Sequence, residues 1–422
     1  MASALPDLPV LPVEDSMLSR RFGREIANYW SGGPLNRVAF LRHDHAFLQQ
    51  AFSHPSTRFM LLDNLAPAIS REEGPAGGRP KLAFARTADV VPLTGPEPFA
   101  KTEEEMLAEF NSDVDHPLIL LLGIDEHHKL AASDDAFHYK EWKGSPYFAV
   151  DVTPKGKLAD KANQVIEAAK AKGLTFYTDA RSMGLVAPEA GTYAQARSIL
   201  DWNARNPFCA GCGSRTLSVN AGMKRACPPT DLAGGGGGGK PARRPDCPTR
   251  QGVSNLSFPR TDPTVIMACV SADGTKMLLG RNKRFPPNMY SVLAGFLEPG
   301  ESIEEAVRRE IYEESGVTAA RVVIYASQPW PFPNSLMIGA ISQAAPGDGE
   351  RIFLGNDPEL DDARWFPLDE VRHALETSAG PLGQPPPPTY VEGGIRLPPK
   401  TAIAHQLILA VLNGYLSGIP KI

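Results

Sequence analysis

The stretch GFLEPGESIEEAVRREIYEESGV, residues 295–317, carries the densest set of structural signals in this chain. Ser302 is a favourable helix N-cap, and Glu305 three residues later completes a capping box. Gly316 supplies the left-handed residue at which a helix commonly ends. The stretch therefore predicts a helix that begins after Ser302 and ends before Gly316.

Three glutamates of this predicted helix share one face. Glu310, Glu313 and Glu314 have i, i+3, i+4 spacing, which places them in a sector about 100° wide. Like charges on one face destabilise a helix unless a cation lies against them, and Arg309 offsets only part of this repulsion. Most Glu-rich helices simply present a solvated acidic face. Here a tight turn before the helix brings Glu301 close as well, and such a cluster of hard oxygen ligands indicates a Mg²⁺ or Mn²⁺ site that substrate phosphates complete.

The same positions resemble the signature of the Nudix hydrolases, G-x5-E-x7-R-E-(apolar)-x-E-E-x-G-(apolar). The defined positions are occupied here by Gly295, Glu301, Arg309, Glu310, Ile311, Glu313, Glu314, Gly316 and Val317. The resemblance implies metal-assisted hydrolysis of a nucleoside diphosphate linked to another group. It also implies that Arg309 orients a glutamate and does not touch the substrate.

A second unusual stretch, SQPWPFPNS at residues 327–335, follows the predicted helix. Its three alternating prolines hold Trp330 and Phe332 in extended conformations. A stiff strip of this kind could stack on flat heterocycles, while the amides of Gln328 and Asn334 read ring edges. The alternative is a proline-rich core strand. The pattern S-Q-P-W-P-F-P-x-S after a Nudix motif is similar to that of the NADH pyrophosphatase subfamily.

This closer resemblance implies further site residues by position. The substrate contacts would be Phe258, Ala294, Phe296, Gln328, Pro329, Trp330, Pro331, Phe332, Pro333, Asn334, Ser335 and Ala404. Phe258 begins an aromatic-Pro-Arg motif in which tyrosine is commoner. Glu359, in DPELDDARW, matches a metal-binding glutamate of the subfamily. The predicted Mg²⁺ or Mn²⁺ ligands are thus Glu310, Glu314 and Glu359, with Glu313 either a further ligand or the base that activates water.

Four of the five cysteines lie between residues 206 and 252. Cys209 and Cys212 form a C-x2-C pair, and Cys227 and Cys247 follow at longer spacings. Such a set suits tetrahedral coordination of a structural Zn²⁺, in a segment too small to build its own core. A redox dithiol or unrelated buried cysteines are the alternatives, and the wide spacing leaves the role of Cys247 open. Cys269, inside an apolar strand, is predicted to be a small core residue.

Composition and motifs divide the chain into three parts. Residues 1–205 alternate helix and strand patterns, and the resemblance implies a Nudix-like N-terminal domain. Residues 206–252 form the predicted zinc ribbon, whose six consecutive glycines at 234–239 indicate a flexible insert. Residues 253–422 form the catalytic Nudix hydrolase domain. The predicted fold class is α/β (α+β): a Nudix α/β/α sandwich with a preceding zinc ribbon and a diverged Nudix-like N-terminal domain.

Bulk properties exclude several classes of protein. With 42% hydrophobic and 22% charged residues, the 422-residue chain is not a disordered one. A net charge of -5 gives no sign of a general nucleic-acid binder. The longest apolar run, residues 117–124, is far below the ~20 residues that span a bilayer, so no membrane association is expected. Few cysteines favour a reducing compartment. We expect the cytoplasm, with the peroxisome as an alternative because residues 420–422, Pro-Lys-Ile, loosely resemble Ser-Lys-Leu.

The resemblance therefore implies an NAD(H) diphosphatase that depends on Mg²⁺ or Mn²⁺, and the cysteine set adds a structural Zn²⁺. Its substrates would be NADH and NAD⁺, and its products AMP and the nicotinamide mononucleotide, reduced when NADH is cleaved. Removal of NAD caps from RNA 5′ ends by the same site is an alternative, and a non-catalytic zinc-ribbon binding protein is another. The resemblance also implies a homodimer.

Overall fold

The computed structural model describes residues 6–9, 16–17, 26–71, 78–127, 135–233, 241–252, 254–380 and 385–414. Two predicted features, the glycine insert at 234–239 and the C-terminal tripeptide at 420–422, lie outside the described residues. In the described ranges, no helix has both the length and the apolar character needed to cross a bilayer.

The N-terminal domain is a mixed sheet with helices packed against it. Its strands are β1 (Arg58–Asp63), β2 (Ala66–Arg71), β3 (Pro80–Leu82), β4 (Phe84–Ala85), β5 (Ile119–Asp125), β6 (Phe137–Tyr139), β7 (Trp142–Asp151) and β8 (Thr175–Phe176). Its helices are α1 (His45–Ser53), α2 (Thr87–Thr94), α3 (Glu103–Ala108), α4 (Ala159–Ala171) and α5 (Ala187–Arg205). The strand order is β3-β2-β1-β7-β5, with β4, β6 and β8 at its margins, and β1 and β7 run parallel.

The zinc ribbon consists of two short antiparallel hairpins. β9 (Leu217–Val219) pairs with β10 (Lys224–Ala226), and β11 (Thr230–Asp231) pairs with β12 (Ala242–Arg243). Apolar residues of the first hairpin pack against Phe110, just beyond α3 of the N-terminal domain. The ribbon therefore packs against that domain through a small shared core.

The C-terminal domain is a second mixed sheet between helices. Its strands are β13 (Asp262–Val270), β14 (Lys276–Asn282), β15 (Leu293–Phe296), β16 (Ala319–Trp330), β17 (Ser335–Ala344) and β18 (Leu360–Pro367). Its helices are α6 (Ile303–Ser315), α7 (Leu368–Ser378) and α8 (Ile403–Leu412). The strand order is β16-β17-β13-β14-β18, with β15 paired to β13. β13 and β14 form an antiparallel hairpin whose turn contains Asp273.

Alternation along β13 explains why helices cover both faces of this sheet. Val265, Met267 and Cys269 join the core that contains the apolar face of α6. The residues between them in sequence join the opposite core, which contains α7 and α8. A strand that is buried on both sides needs a helical layer on each. The α/β/α sandwich is confirmed, and Cys269 is a buried core residue as predicted.

The two sheets share a topological feature that the sequence patterns do not reveal. Each joins an early strand and a late strand in parallel, β1 with β7 and β13 with β17, among otherwise antiparallel pairs. Parallel pairing of this kind requires a long crossover connection and not a hairpin. The shared arrangement agrees with a Nudix-like origin for the N-terminal domain.

Candidate active site

Helix α6 holds the glutamates, and its two ends are defined as predicted. The Ser302 hydroxyl accepts from the Glu305 N–H, and the Glu305 carboxylate accepts from the Ser302 N–H at 2.7 Å. At the other end Gly316 has φ +72°, and a Cβ there would come within 2.9 Å of the Phe353 backbone. The two caps fix the first and last residues of the helix. The regular helix between them then determines the direction in which each glutamate points.

Arg309 is the centre of an ion-pair cluster on this helix. Its guanidinium contacts Glu301 at 2.6 Å, Glu310 at 2.8 Å and Glu313 at 2.9 Å. It also donates to the Phe296 carbonyl at 2.8 Å. The hydrogen bond from Arg309 lowers the pKa of Glu301 to about 2. Arg309 thus fixes three carboxylates at once, which is the geometry of a residue that positions its neighbours.

Glu314 is a buried carboxylate of the site with other carboxylates around it. Its side chain is only 6% exposed, and its neighbouring charges are the carboxylates of Glu310, Glu359 and Asp357. Burial, followed by the negative charges of Glu310 and Glu359, raises the pKa of Glu314 to about 8. The Ala294 N–H donates to this carboxylate and opposes the shift. A buried carboxylate beside further carboxylates is unfavourable unless a cation accompanies it.

These carboxylates offer the oxygen donors of a hard divalent cation site, although among the described residues only the four cysteines of the ribbon have ligand atoms that all lie within 4.8 Å of one another. Oxygen ligands are those that Mg²⁺ and Mn²⁺ prefer, and two or more carboxylates with substrate phosphates are a usual set. The Mg²⁺/Mn²⁺ requirement predicted from the sequence therefore agrees with the donor chemistry at Glu310, Glu314 and Glu359. Asp357 was not predicted, although it stands two residues before Glu359 in the same acidic segment.

Gly295 allows β15 to approach the glutamates closely. A Cβ at this position would lie 2.0 Å from the Glu310 carboxyl carbon. No side chain other than hydrogen fits there unless Glu310 moves. The glycine of the Nudix motif therefore has a steric reason in this chain.

We expect Gly295→Ala to displace Glu310 and to lower kcat for pyrophosphate hydrolysis by roughly 10- to 100-fold, because small displacements of catalytic groups are costly. Steady-state kinetics at several Mn²⁺ concentrations would measure the effect. Gly184→Ala is the matched control, since its Cβ would have no neighbour closer than 4.0 Å. Equal activity of the two variants would contradict the steric argument.

The proline strip lies between the two sheet domains. Phe332 is 9% exposed, and its ring centroid lies 5.4 Å from that of Trp30 and 5.5 Å from that of Trp330. The guanidinium groups of Arg181 and Arg197 lie 5.3 and 4.9 Å from its centroid. The strip thus joins the core of the N-terminal domain, and its aromatic face is partly covered within the chain.

The polar side chains of the strip are also engaged within the chain. The Gln328 amide donates to the Tyr29 and Thr401 carbonyls and accepts from the Ile403 N–H, each at 2.8 Å. Asn334 donates to the Arg260 carbonyl. These contacts use the amide of Gln328 at the domain interface, which corrects the expectation that it faces a substrate ring. Local sequence could not reveal this, because the partners of Gln328 are up to 299 residues away.

The other predicted substrate contacts fall into two groups. Phe258 and Phe296 are 40% and 61% exposed and are free to meet a ligand, and Phe296 adjoins the Arg309 cluster. Ala404, by contrast, is 4% exposed in the core on the sheet face opposite α6. The structure therefore brings Ala294 and Phe296 to the glutamates, but not the side chain of Ala404.

The four cysteines of the ribbon converge. The sulfur atoms of Cys209, Cys212, Cys227 and Cys247 all lie within 4.8 Å of one another. Two pairs, Cys209 with Cys247 and Cys212 with Cys227, are 3.5 Å apart. Thiolates around zinc, with Zn–S bonds of about 2.3 Å, have similar separations. Cys247 is therefore the fourth member of the cluster, and the site fits a structural Zn²⁺.

Family models match three segments of the chain, in the predicted order. They are the "NADH pyrophosphatase-like rudimentary NUDIX domain" at residues 56–202, the "NADH pyrophosphatase zinc ribbon domain" at 204–234 and the "NUDIX domain" at 260–384. The ribbon match ends before Cys247, so its place in the zinc cluster depends on the structure.

Curated relatives cover almost the whole chain. The "NAD-capped RNA hydrolase" of Schizosaccharomyces pombe is 36% identical over 389 residues, which are 91% of this chain and 92% of the relative. The "NAD-capped RNA hydrolase NPY1" of Saccharomyces cerevisiae is 34% identical over 401 residues, 90% of this chain and 94% of the relative. The human "NAD(P)H pyrophosphatase NUDT13, mitochondrial" is 38% identical over 225 residues, 53% of this chain and 55% of the relative. With its capped glutamate helix, its four-cysteine ribbon and its diverged first sheet, this chain belongs to the NADH pyrophosphatase branch of the Nudix hydrolases.

Proposed function

We propose that this protein hydrolyses the central pyrophosphate of NADH and NAD⁺. Water adds its oxygen to one phosphorus, the bond from that phosphorus to the bridging oxygen breaks, and the bridging oxygen leaves with the other phosphate. The products are AMP and the nicotinamide mononucleotide, which is reduced when NADH is the substrate. The observation that carries this proposal is the buried Glu314 among further carboxylates on an intact Nudix helix.

The glutamates would divide the work as follows. Glu310, Glu314 and Glu359 would hold Mg²⁺ or Mn²⁺, which when bound neutralises charge that develops on the phosphate oxygens. Glu313 would be either a further ligand or the base that takes a proton from water. Its side chain is 45% exposed, which supports access of water to it. Arg309 would hold Glu310 and Glu313 in place through its contacts with both.

Hydrolysis of NAD caps on RNA is the second candidate function. Two relatives that share most of their length with this chain are named NAD-capped RNA hydrolases. A capped RNA presents the same pyrophosphate, with further nucleotides attached to its adenosine half. The chemistry at the glutamates would therefore be the same for both substrates.

Parallel kinetics on NADH, NAD⁺, ADP-ribose and NAD-capped RNA would test the substrate class. We expect kcat/KM for the nicotinamide dinucleotides, free or as RNA caps, to exceed that for ADP-ribose by roughly tenfold or more, as when a site contacts the distinguishing group. The ratio of kcat/KM for NADH to kcat/KM for NAD-capped RNA shows which of the two candidate functions the site favours. Equal rates on ADP-ribose would contradict a site that recognises the nicotinamide half.

Two further expectations belong to this proposal. The subfamily resemblance supports a homodimer, which light scattering coupled to gel filtration would measure. The zinc thiolates support a reducing compartment, with the cytoplasm as the first expectation and the peroxisome as the alternative. Imaging of the full chain with and without residues 420–422 would distinguish the two.

A further inference from the structure

A cavity of about 360 Å³ lies between the N-terminal domain and the zinc ribbon. Its walls come from residues 42–119 and 207–225, and none of its lining residues belongs to the C-terminal domain. A volume of this size is typical of small-molecule sites. The cavity and the glutamate cluster therefore share no residues.

The acidic residues that line this cavity are already paired. Glu103 forms an ion pair with Lys224 at 2.7 Å, and Asp115 forms one with Arg215 at 3.6 Å. Asp115 also accepts from the Lys157 N–H. Their negative charge is thus unavailable to the other cations on the wall.

Two arginines of the wall have no acidic partner in the part of the chain that the structure describes. Arg42 forms no ion pair with any described residue, and its buried Nε has no hydrogen-bond acceptor. Among the described residues, Arg225 bonds only to the hydroxyl and carbonyl oxygens of Thr216, at 2.8 and 3.2 Å. Burial lowers the pKa of both arginines, with Arg37 adding to the effect at Arg42. Half-buried guanidinium groups without a counter-charge are unfavourable, and a bound anion would offset that cost.

Apolar side chains complete the cavity. Leu48, Phe99 and Met106 also line it. Phe99 is only partly buried and packs on Phe52 and Phe148, so its ring is held in place. A wall that combines guanidinium groups with a fixed aromatic ring suits a phosphate joined to a flat heterocycle.

We propose that this cavity binds a nucleoside monophosphate, with the phosphate on Arg42 and Arg225 and the nucleoside against Phe99 and Met106. The choice of AMP as the probe rests on the proposed function, since AMP is a product of that reaction. The cavity itself does not depend on it.

Calorimetric titration of AMP into the zinc-loaded full chain, without added Mg²⁺ or Mn²⁺, tests the proposal. We expect wild type to bind AMP, and Arg42→Met and Arg42→Glu to weaken binding by about tenfold or more, the effect of losing a charged hydrogen bond. Arg351→Met, at an exposed arginine outside the cavity, should bind as wild type does. Inorganic phosphate should bind more weakly, and adenosine should not bind.

A comparison with Glu314→Gln separates this cavity from the active site. AMP binding that survives Glu314→Gln but is lost in Arg42→Met supports the cavity. Binding that is lost in Glu314→Gln but unchanged in Arg42→Met, or no binding in wild type, overturns the proposal. Because Arg42 has no ion-pair partner among the described residues, its removal should not lower the unfolding temperature. Arg42→Glu would place a carboxylate near Arg37. Because the titration measures AMP binding directly, it would still test the cavity if the protein did not hydrolyse NADH.

Discussion

Glu314→Gln is expected to lower kcat for NADH hydrolysis by at least about 10³-fold, without loss of folded protein. A bound metal stabilises charge on the reacting phosphate by several kcal/mol, and about 4 kcal/mol corresponds to this factor. Gln keeps the shape of Glu but supplies a neutral and weaker metal ligand. The loss should appear in kcat and in the Mn²⁺ concentration needed for half-maximal rate.

Glu314→Gln is expected to lose activity without losing stability. In wild type without metal, burial and the charges of Glu310 and Glu359 oppose ionisation of Glu314. The neutral amide removes this repulsion, so the free energy of unfolding at neutral pH should be unchanged or higher in metal-free buffer. Thermal unfolding measured beside the kinetics would check this. A variant that is inactive because it unfolds, or one that is fully active, would contradict the assigned role.

Cys247→Ser is expected to abolish zinc binding and to destabilise the chain by several kcal/mol. Structural zinc contributes on the order of 10 kcal/mol to the folding of small zinc peptides. A serine hydroxyl cannot replace a thiolate in a closed site of four cysteines. Loss of the ribbon would also uncover Phe110, which packs against Leu217 and Val219. Metal analysis and denaturant unfolding would measure both effects.

Cys269→Ala is the matched control for Cys247→Ser. Cys269 is 1% exposed in the core of the C-terminal domain and lies outside the four-cysteine cluster. Its replacement should cost only about 1 kcal/mol, the usual scale of a small loss of buried volume, and should leave one zinc per chain. Full zinc content in Cys247→Ser would show that Cys247 is not a ligand.

Local signals in the sequence predicted the site's framework well. The caps at Ser302 and Gly316 predicted the ends of α6, because capping depends on neighbouring residues alone. The C-x2-C pair predicted the ribbon. Both faces of β13 are buried, so its sequence does not alternate between apolar and polar residues. Its run of apolar residues still indicated a strand. These features are short-range, and a single sequence displays them.

Long-range packing was not predictable in the same way. The amide of Gln328 bonds to Tyr29, and Phe332 packs on Trp30. The role of the proline strip therefore depends on a segment that is distant in sequence. Ala404 was assigned by position to the substrate, but the register of α8 turns it into the core. Cys247 was included in the predicted zinc set, but its wide spacing left its role open until the structure placed its sulfur with the other three. Each of these depends on contacts that spacing alone does not encode.

Hydrolysis of NADH in H₂¹⁸O, followed by mass spectrometry of the products, tests the central claim most directly. The proposed reaction predicts equal amounts of AMP and reduced nicotinamide mononucleotide. One ¹⁸O should enter the phosphate of one product, and turnover should require Mg²⁺ or Mn²⁺ and be lost in Glu314→Gln. Release of nicotinamide with ADP-ribose, or no turnover with either metal, would contradict pyrophosphate hydrolysis at these glutamates.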